Sequence, residues 1–451
     1  MMNKILVVLI LLLQVLNIDC KAQEITIEIF DAKEKAFLLE LEGEKTNLID
    51  SVYSQNGKYT FSLENKTVGL YRLQFDSRHE INFINDGKDI LIKTDYNNIL
   101  DSLLIVKSEN NRLYYEFIRL NKLYKKKTEL LNIILLHYPS DDEYYKVTQN
   151  KLEQIQNEYH KFIQKTSQAN PKSFIARYIK SAQLPIVHNS IPIEGQITFL
   201  KKHSLDNVNF DDAELISSDM FTNKSIEYLT YYRNQQLPKE LLEKEFMKAV
   251  DTLLNKAKMN QLVYQYITEY LIDGFKKFGF DKIIDYIVEN YVIEDDLCLD
   301  EQTENSIQRR IDQAKILAKG SKAPNIIMPS KDGKVIDLSK IKSQKVLLVF
   351  YASWCPHCKT LLPKLNNLNT NSEELEIIAI SLDNTKEDWL KFINENCSEL
   401  TNLNDQNGWD GTVASEYFIY ATPSMFLLDR EKKIIGKPTS YDELKDLLDS
   451  H

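Results

Sequence analysis

The chain has 451 residues, more than one ordinary hydrophobic core accommodates, so two or three domains are expected. With 43% hydrophobic and 27% charged residues and only 12 glycines, the composition is that of globular domains and excludes long disordered stretches. A formal charge of −10, with no Lys- or Arg-rich block, excludes a general nucleic-acid binder.

Residues 1–22 read as a secretory signal peptide. Lys4 gives a positive start, residues 5–18 are an apolar core, and Ala22 offers a small residue before Gln23. The apolar core is shorter than the roughly 20 residues a membrane-spanning helix needs. Cys20 raises a lipid anchor as an alternative, but Asp19 stands where bacterial lipoprotein signals resemble one another in having a small residue. Cleavage after Ala22 is the reading adopted, which places the chain in the periplasm or cell envelope. Disulfides are accessible there.

Residues 23–106 alternate with period two. Ile25, Ile27 and Ile29 begin the pattern, followed by Phe37, Leu39 and Leu41, then Tyr59, Phe61 and Leu63. Tyr71, Leu73 and Phe75, Ile81 and Phe83, and Ile90 and Ile92 continue it, with turns at Asn56-Gly57 and Asp86-Gly87. A small antiparallel sandwich-like all-β domain is expected, without a cluster of reactive side chains.

Over residues 107–319 the apolar spacing becomes helical. Leu113, Phe117, Leu120 and Tyr124 share a face, as do Leu152, Ile155, Tyr159 and Phe162. Further faces run through Leu242, Phe246, Ala249 and Leu253, and through Val263, Tyr266, Ile267 and Tyr270. The tyrosines could line a binding groove, but at helical spacing they read first as core residues.

Gly320-Ser321-Lys322-Ala323-Pro324 reads as a hinge into an α/β domain, residues 320–451. Residues 346–351 form an apolar, β-branched and aromatic run expected of a central strand. Trp354-Cys355-Pro356-His357-Cys358 follows, with the proline where a first helical turn tolerates it. Cysteines three apart fall on the same side of a helix, near enough to form a disulfide. A second strand is expected over 375–380, a second helix over 388–396, a hairpin around Asp429-Arg430 and a closing helix over 441–448.

A thiolate, not a thiol, attacks a disulfide. Cys355 at a helix start faces unpaired N–H groups and the positive end of the helix dipole, which favour its ionisation. His357 can add a hydrogen bond or positive charge. Cys358, inside the first turn, is expected to be more covered and to act as the resolving thiol.

Trp354 to Lys359, with Pro363 in the same helix and Ala421-Thr422-Pro423-Ser424 before an apolar strand, resembles the thioredoxin fold. The resemblance implies a bent active-site helix and a cis proline at Pro423 beside the dithiol, with the backbone of Thr422 pairing with a bound substrate segment. More closely, residues 320–451 resemble the TlpA/ResA branch of exported thiol-disulfide oxidoreductases. The residues that carry this are Ala323-Pro324, Asp332-Gly333, Leu338, Phe350 to Cys355, Pro423 and Leu427-Leu428-Asp429. Trp389, Phe392 and Asn394 lie in a segment similar to that branch's extra helix and strand. The upstream part resembles the β-domain and helical region that precede such domains in Bacteroidetes envelope proteins. Cys355 and Cys358 are thereby expected to be catalytic, supported by Trp354, Pro356, His357, Thr422 and Pro423. The expected partners are protein thiols or disulfides of the envelope and a further redox protein, with no nucleic acid, metal or other cofactor.

Some positions depart from that pattern. Val349 stands six residues before Cys355, where thioredoxin has a buried acid, and Leu361 six residues after it, where several relatives have glutamate. The Pro-His pair matches the oxidising DsbA rather than the TlpA/ResA reductases, which predicts a reduction potential above thioredoxin's. Competing readings are a static disulfide, a peroxidase, and an envelope binding or scaffold protein. Peroxiredoxins need Pro and Thr where Leu348 and Ala352 stand. Cys298 and Cys397 could pair, although two buried, unpaired thiols are the simpler expectation.

Overall fold

The computed structural model describes residues 23–188, 191, 193–297, 299, 305–368 and 373–450. The signal segment with Cys20, and the pairing of Cys298 with Cys397, lie outside the described residues. The chain divides into two compact units at Gly274. Among the described residues, no helix is long and apolar enough to cross a membrane.

The first unit begins with eight strands. They are Ile25–Phe30 (β1), Lys35–Glu42 (β2), Lys45–Tyr53 (β3), Lys58–Phe61 (β4), Gly69–Gln74 (β5), Glu80–Asn85 (β6), Ile90–Asp95 (β7) and Leu104–Lys107 (β8). Two four-stranded sheets result, ordered β4-β1-β7-β8 and β3-β2-β5-β6. Their apolar faces meet: Phe61 of β4 approaches Phe83 of β6 with ring centroids 5.9 Å apart, and Ile25, Ile27, Leu73 and Ile81 are fully buried. Asn56 and Gly57, both at positive φ, make the tight turn between β3 and β4.

Two details differ from the simple alternation. β1 pairs parallel with β7, so the first sheet is mixed rather than antiparallel. A register shift between Leu38 and Leu39 changes the inward face of β2 midway. Ala36 and Leu38 are buried before it and Leu39 and Leu41 after it, which leaves Phe37 exposed.

Helices follow at Glu109–His137 (α1), Glu143–Ala169 (α2), Phe174–Ala182 (α3), Ile193–His203 (α4), Met220–Thr230 (α5), Lys239–Ala257 (α6) and Gln261–Lys277 (α7). The Asn111 side chain joins α1 to β6, accepting from the Ile84 N–H at 2.7 Å and donating to its carbonyl at 2.9 Å. Tyrosines at helical spacing pack inward: Tyr124 stacks on Tyr159 at 4.1 Å, and both are buried. The Tyr159 hydroxyl donates to Asn121 Oδ1 at 2.8 Å, so the polar tip is satisfied while the ring fills the core.

The second unit opens with Asp281–Ile287 (α8), which runs on as a wider π turn over Val288–Ile293, and Asn305–Ile316 (α9). Ile327–Pro329 (β9) and Val335–Asp337 (β10) make a small hairpin. The main sheet is built from Lys345–Tyr351 (β11), Leu375–Ser381 (β12), Thr401–Asn404 (β13), Ser424–Leu428 (β14) and Ile434–Gly436 (β15), in the order β13-β12-β11-β14-β15. β11, β12 and β13 are parallel; β14 and β15 complete the sheet antiparallel. Pro356–Asn366 (α10), Lys386–Asn396 (α11), Thr412–Glu416 (α12) and Tyr441–Ser450 (α13) accompany it. This is the thioredoxin-like α/β fold, and residues 346–351 of its central strand are all fully buried. The Gly320 segment runs along β15, with the Gly320 N–H bonded to Ile434 O at 2.7 Å and the Ile434 N–H to Ser321 O at 2.9 Å.

Candidate active site

The dithiol stands where β11 passes into α10. Cys355 is the helix N-cap in extended conformation, and its sulfur accepts the backbone N–H of Cys358 at 3.4 Å. Pro356 takes the first helical position, where its missing N–H leaves no intrahelical bond unmade. Cys355 is only 4% exposed and Cys358 fully buried. Pro363 lies inside α10, where it cannot donate to the preceding turn.

Thr422-Pro423 is a cis peptide immediately before β14. Because β14 lies beside β11, this turn reaches the dithiol, and the Cys355 thiol donates to the Thr422 carbonyl at 3.2 Å. The sheet thus brings Cys355, Cys358, Thr422 and Pro423 together although 67 residues separate Cys355 from Thr422.

The two thiols have opposed acidities. Burial raises the pKa of Cys355, but interactions with the Cys358 thiol, the Thr422 side chain and the Cys358 and His357 N–H groups outweigh it. The net effect lowers the Cys355 thiol from its ordinary value. Burial pushes Cys358 far up, and the neighbouring Cys355 adds to that. Val349, fully buried on β11, and Leu361, one turn beyond Cys358, supply no proton acceptor here. Cys397 is also a buried thiol, raised to about 11 by burial, and its sulfur donates to Asn402 Oδ1 at 3.4 Å.

Trp354 is 56% exposed, with its ring 6.3 Å from that of Trp409. Pro356 and His357 are exposed at the start of α10. Spacing alone did not single out Asp383, which holds the turn before the dithiol. Its carboxylate accepts the Ser353 N–H at 3.1 Å, the Ser353 hydroxyl at 2.7 Å and the Ser381 hydroxyl at 2.7 Å. The available signal was position: Ser381-Leu382-Asp383 closes the strand next to the dithiol strand, at the carboxyl edge where α/β sheets assemble their sites.

Residues 319–437 match the model of the AhpC/TSA family. A thiol-disulfide oxidoreductase ResA of Bacillus cereus is 30% identical over 121 residues, covering 26% of this chain and 68% of that protein. The chain belongs to the ResA family of thiol-disulfide oxidoreductases. ResA of Bacillus thuringiensis subsp. konkukian is 30% identical over 118 residues, which span 26% of this chain and 66% of that relative, just under two thirds. The crystal structure of the thioredoxin domain of a thiol-disulfide oxidoreductase from Bacteroides vulgatus is 29% identical. It covers 30% of this chain and 97% of that domain, with a TM-score of 0.28.

Proposed function

We propose that this chain is an exported oxidoreductase that exchanges disulfides with protein substrates in the cell envelope through Cys355 and Cys358. The observation that carries this reading is the buried pair of thiols at one helix start, with Cys355 as N-cap bonded both to the Cys358 N–H and to the Thr422 carbonyl; the opposed directions of their acidities agree with it. In the reducing direction, the Cys355 thiolate attacks one sulfur of a substrate disulfide. The substrate S–S bond breaks, a mixed disulfide forms at Cys355, and the other substrate sulfur leaves as a thiolate that takes up a proton. Cys358 then loses its proton and attacks the Cys355 sulfur, releasing the second substrate thiol. The substrate gains two electrons and the protein keeps a Cys355–Cys358 disulfide, which a further redox protein of the envelope reduces. The reverse sequence oxidises a dithiol.

The supporting residues have distinct parts in this reading. When Cys355 ionises it ceases to donate to the Thr422 carbonyl, which is then open to a donor from the substrate backbone. Pro423 fixes that carbonyl beside the sulfur. Pro356 starts the helix whose N–H groups hold the thiolate, His357 contributes one of those N–H groups, and Trp354 offers an exposed apolar face beside Cys355. An insulin-reduction assay with dithiothreitol as electron source tests the reading. Activity in the wild type that is lost in Cys355→Ser is expected; equal turbidity with both proteins would refute it.

A further inference from the structure

The helices α8 and α9 lie before the residues matched by the family model, yet three side chains on adjoining turns of α9 hold the loop that ends at Thr422. Arg309 donates to the carbonyls of Trp409 at 3.1 Å and Ile419 at 3.0 Å. Gln313 donates to those of Tyr417 at 3.1 Å and Phe418 at 3.3 Å, and its side chain is buried. Arg310 is 7% exposed and lies over the Tyr420 ring, with its guanidinium carbon 4.1 Å from the ring centroid. From α8, Asp281 and Asp285 bind the two ends of the guanidinium, and the Tyr420 hydroxyl donates to the same Asp285 oxygen at 2.9 Å.

Apart from Trp409, which precedes α12, the groups held are backbone carbonyls and one aromatic ring of the segment between α12 and β14. Four consecutive residues, Tyr417 to Tyr420, are each engaged, and Thr422 follows two residues later. The Thr422 carbonyl, 3.2 Å from the Cys355 sulfur, lies at the end of this segment. Arg309 also ties down Trp409, the ring neighbour of Trp354.

We propose that α8 and α9 belong to the disulfide-exchange machinery: Arg310, seated on Tyr420 and anchored by Asp281 and Asp285, is a positioning residue that, with Arg309 and Gln313, holds the Thr422 carbonyl against Cys355. This rests on the reading of Cys355 as the attacking thiol. The sequence alone could not bring these groups together, because Arg309 and Ile419 are 110 positions apart.

The test uses the full reduced chain and needs no protein substrate. Alkylation of Cys355 by iodoacetamide is followed against pH by mass spectrometry of its peptide, at a temperature where circular dichroism shows each variant folded. Arg310→Met, which keeps an apolar stem, is expected to displace the midpoint of that profile and to slow insulin reduction by up to about a hundredfold, the cost of misplacing a site element by about 1 Å. Arg310→Lys is expected to restore part of both. Tyr420→Phe removes a single oxygen and is expected to displace the midpoint in the same direction. Wild-type profiles in Tyr420→Phe and in folded Arg310→Met would overturn the proposal. If wild type fails to reduce insulin while the midpoint still moves in the variants, the positioning role stands and the substrate reading falls.

Discussion

The Cys355 sulfur touches the carbonyl oxygen of Thr422 and the backbone N–H of Cys358, one an acceptor and the other a donor. The protonated thiol satisfies the first contact and the thiolate the second. Ionisation would remove the donation to Thr422 and leave the bond from the Cys358 N–H in place, where it serves a thiolate better than a thiol.

Replacement of the buried thiol should arrest the reaction halfway. In Cys358→Ala, a mixed disulfide between Cys355 and a substrate chain is expected to accumulate, visible as a higher-mass species on non-reducing gels. It should vanish with reductant and in the double variant with Cys355→Ser. A Cys358→Ala protein that captures nothing would count against a protein substrate.

Acidity has a stability consequence whose sign follows from the shifts. Cys355 has a lower pKa folded than unfolded, where a thiol titrates near about 8.5. It therefore stabilises the reduced protein fully above the unfolded value, and that contribution is lost as pH falls through the folded one. Cys358 and Cys397 are shifted up and act oppositely: their contribution is present below the unfolded pKa and fades as pH rises towards the folded values. Comparing the melting temperature of reduced wild type and Cys355→Ser from pH 6 to 9 should show the difference growing with pH. A constant difference would contradict the lowered pKa of Cys355.

A stabilised thiolate also favours the reduced form, which raises the reduction potential. Titration of the Cys355/Cys358 couple against glutathione is expected to give a value above that of thioredoxin, about −270 mV. A value at or below it would show that the Pro-His pair and the N–H contacts do not govern the equilibrium.

Asp383→Ala removes a buried carboxylate that accepts from Ser353 and Ser381, leaving their donors unpaired. Loss of about 3 kcal/mol in urea unfolding is expected, from the magnitudes of charge-assisted and unsatisfied buried hydrogen bonds. Asp383→Asn keeps the acceptor oxygen and should lose less. Equal stability of all three proteins would remove Asp383 from the support of the dithiol turn.

The dithiol joint was legible because its signals are local. A β-branched run, Trp-Cys-Pro, two cysteines one turn apart and Pro363 all fall within about 20 residues, and Thr422-Pro423 supplied the one distant mark. The rest depends on contacts that a linear pattern does not encode. Period two carried through a register shift puts Phe37 inward, where the structure exposes it, and an antiparallel sandwich does not foresee the parallel pairing of β1 with β7, distant in sequence. Asp383 and Arg310 carry no motif. Their contacts, Asp383 with Ser353, and Arg310 with Tyr420, Asp281 and Asp285, join residues far apart in sequence.

The contacts of α9 bear on how this protein can be dissected. A fragment cut at Gly320 keeps every residue of the dithiol yet strips Arg309, Arg310 and Gln313 from the loop, leaving the Tyr420 ring and four backbone carbonyls to water. A cut at Phe275 retains them. The unit that carries Cys355 begins at Phe275 and the family match at Lys319, 44 residues later (319 − 275).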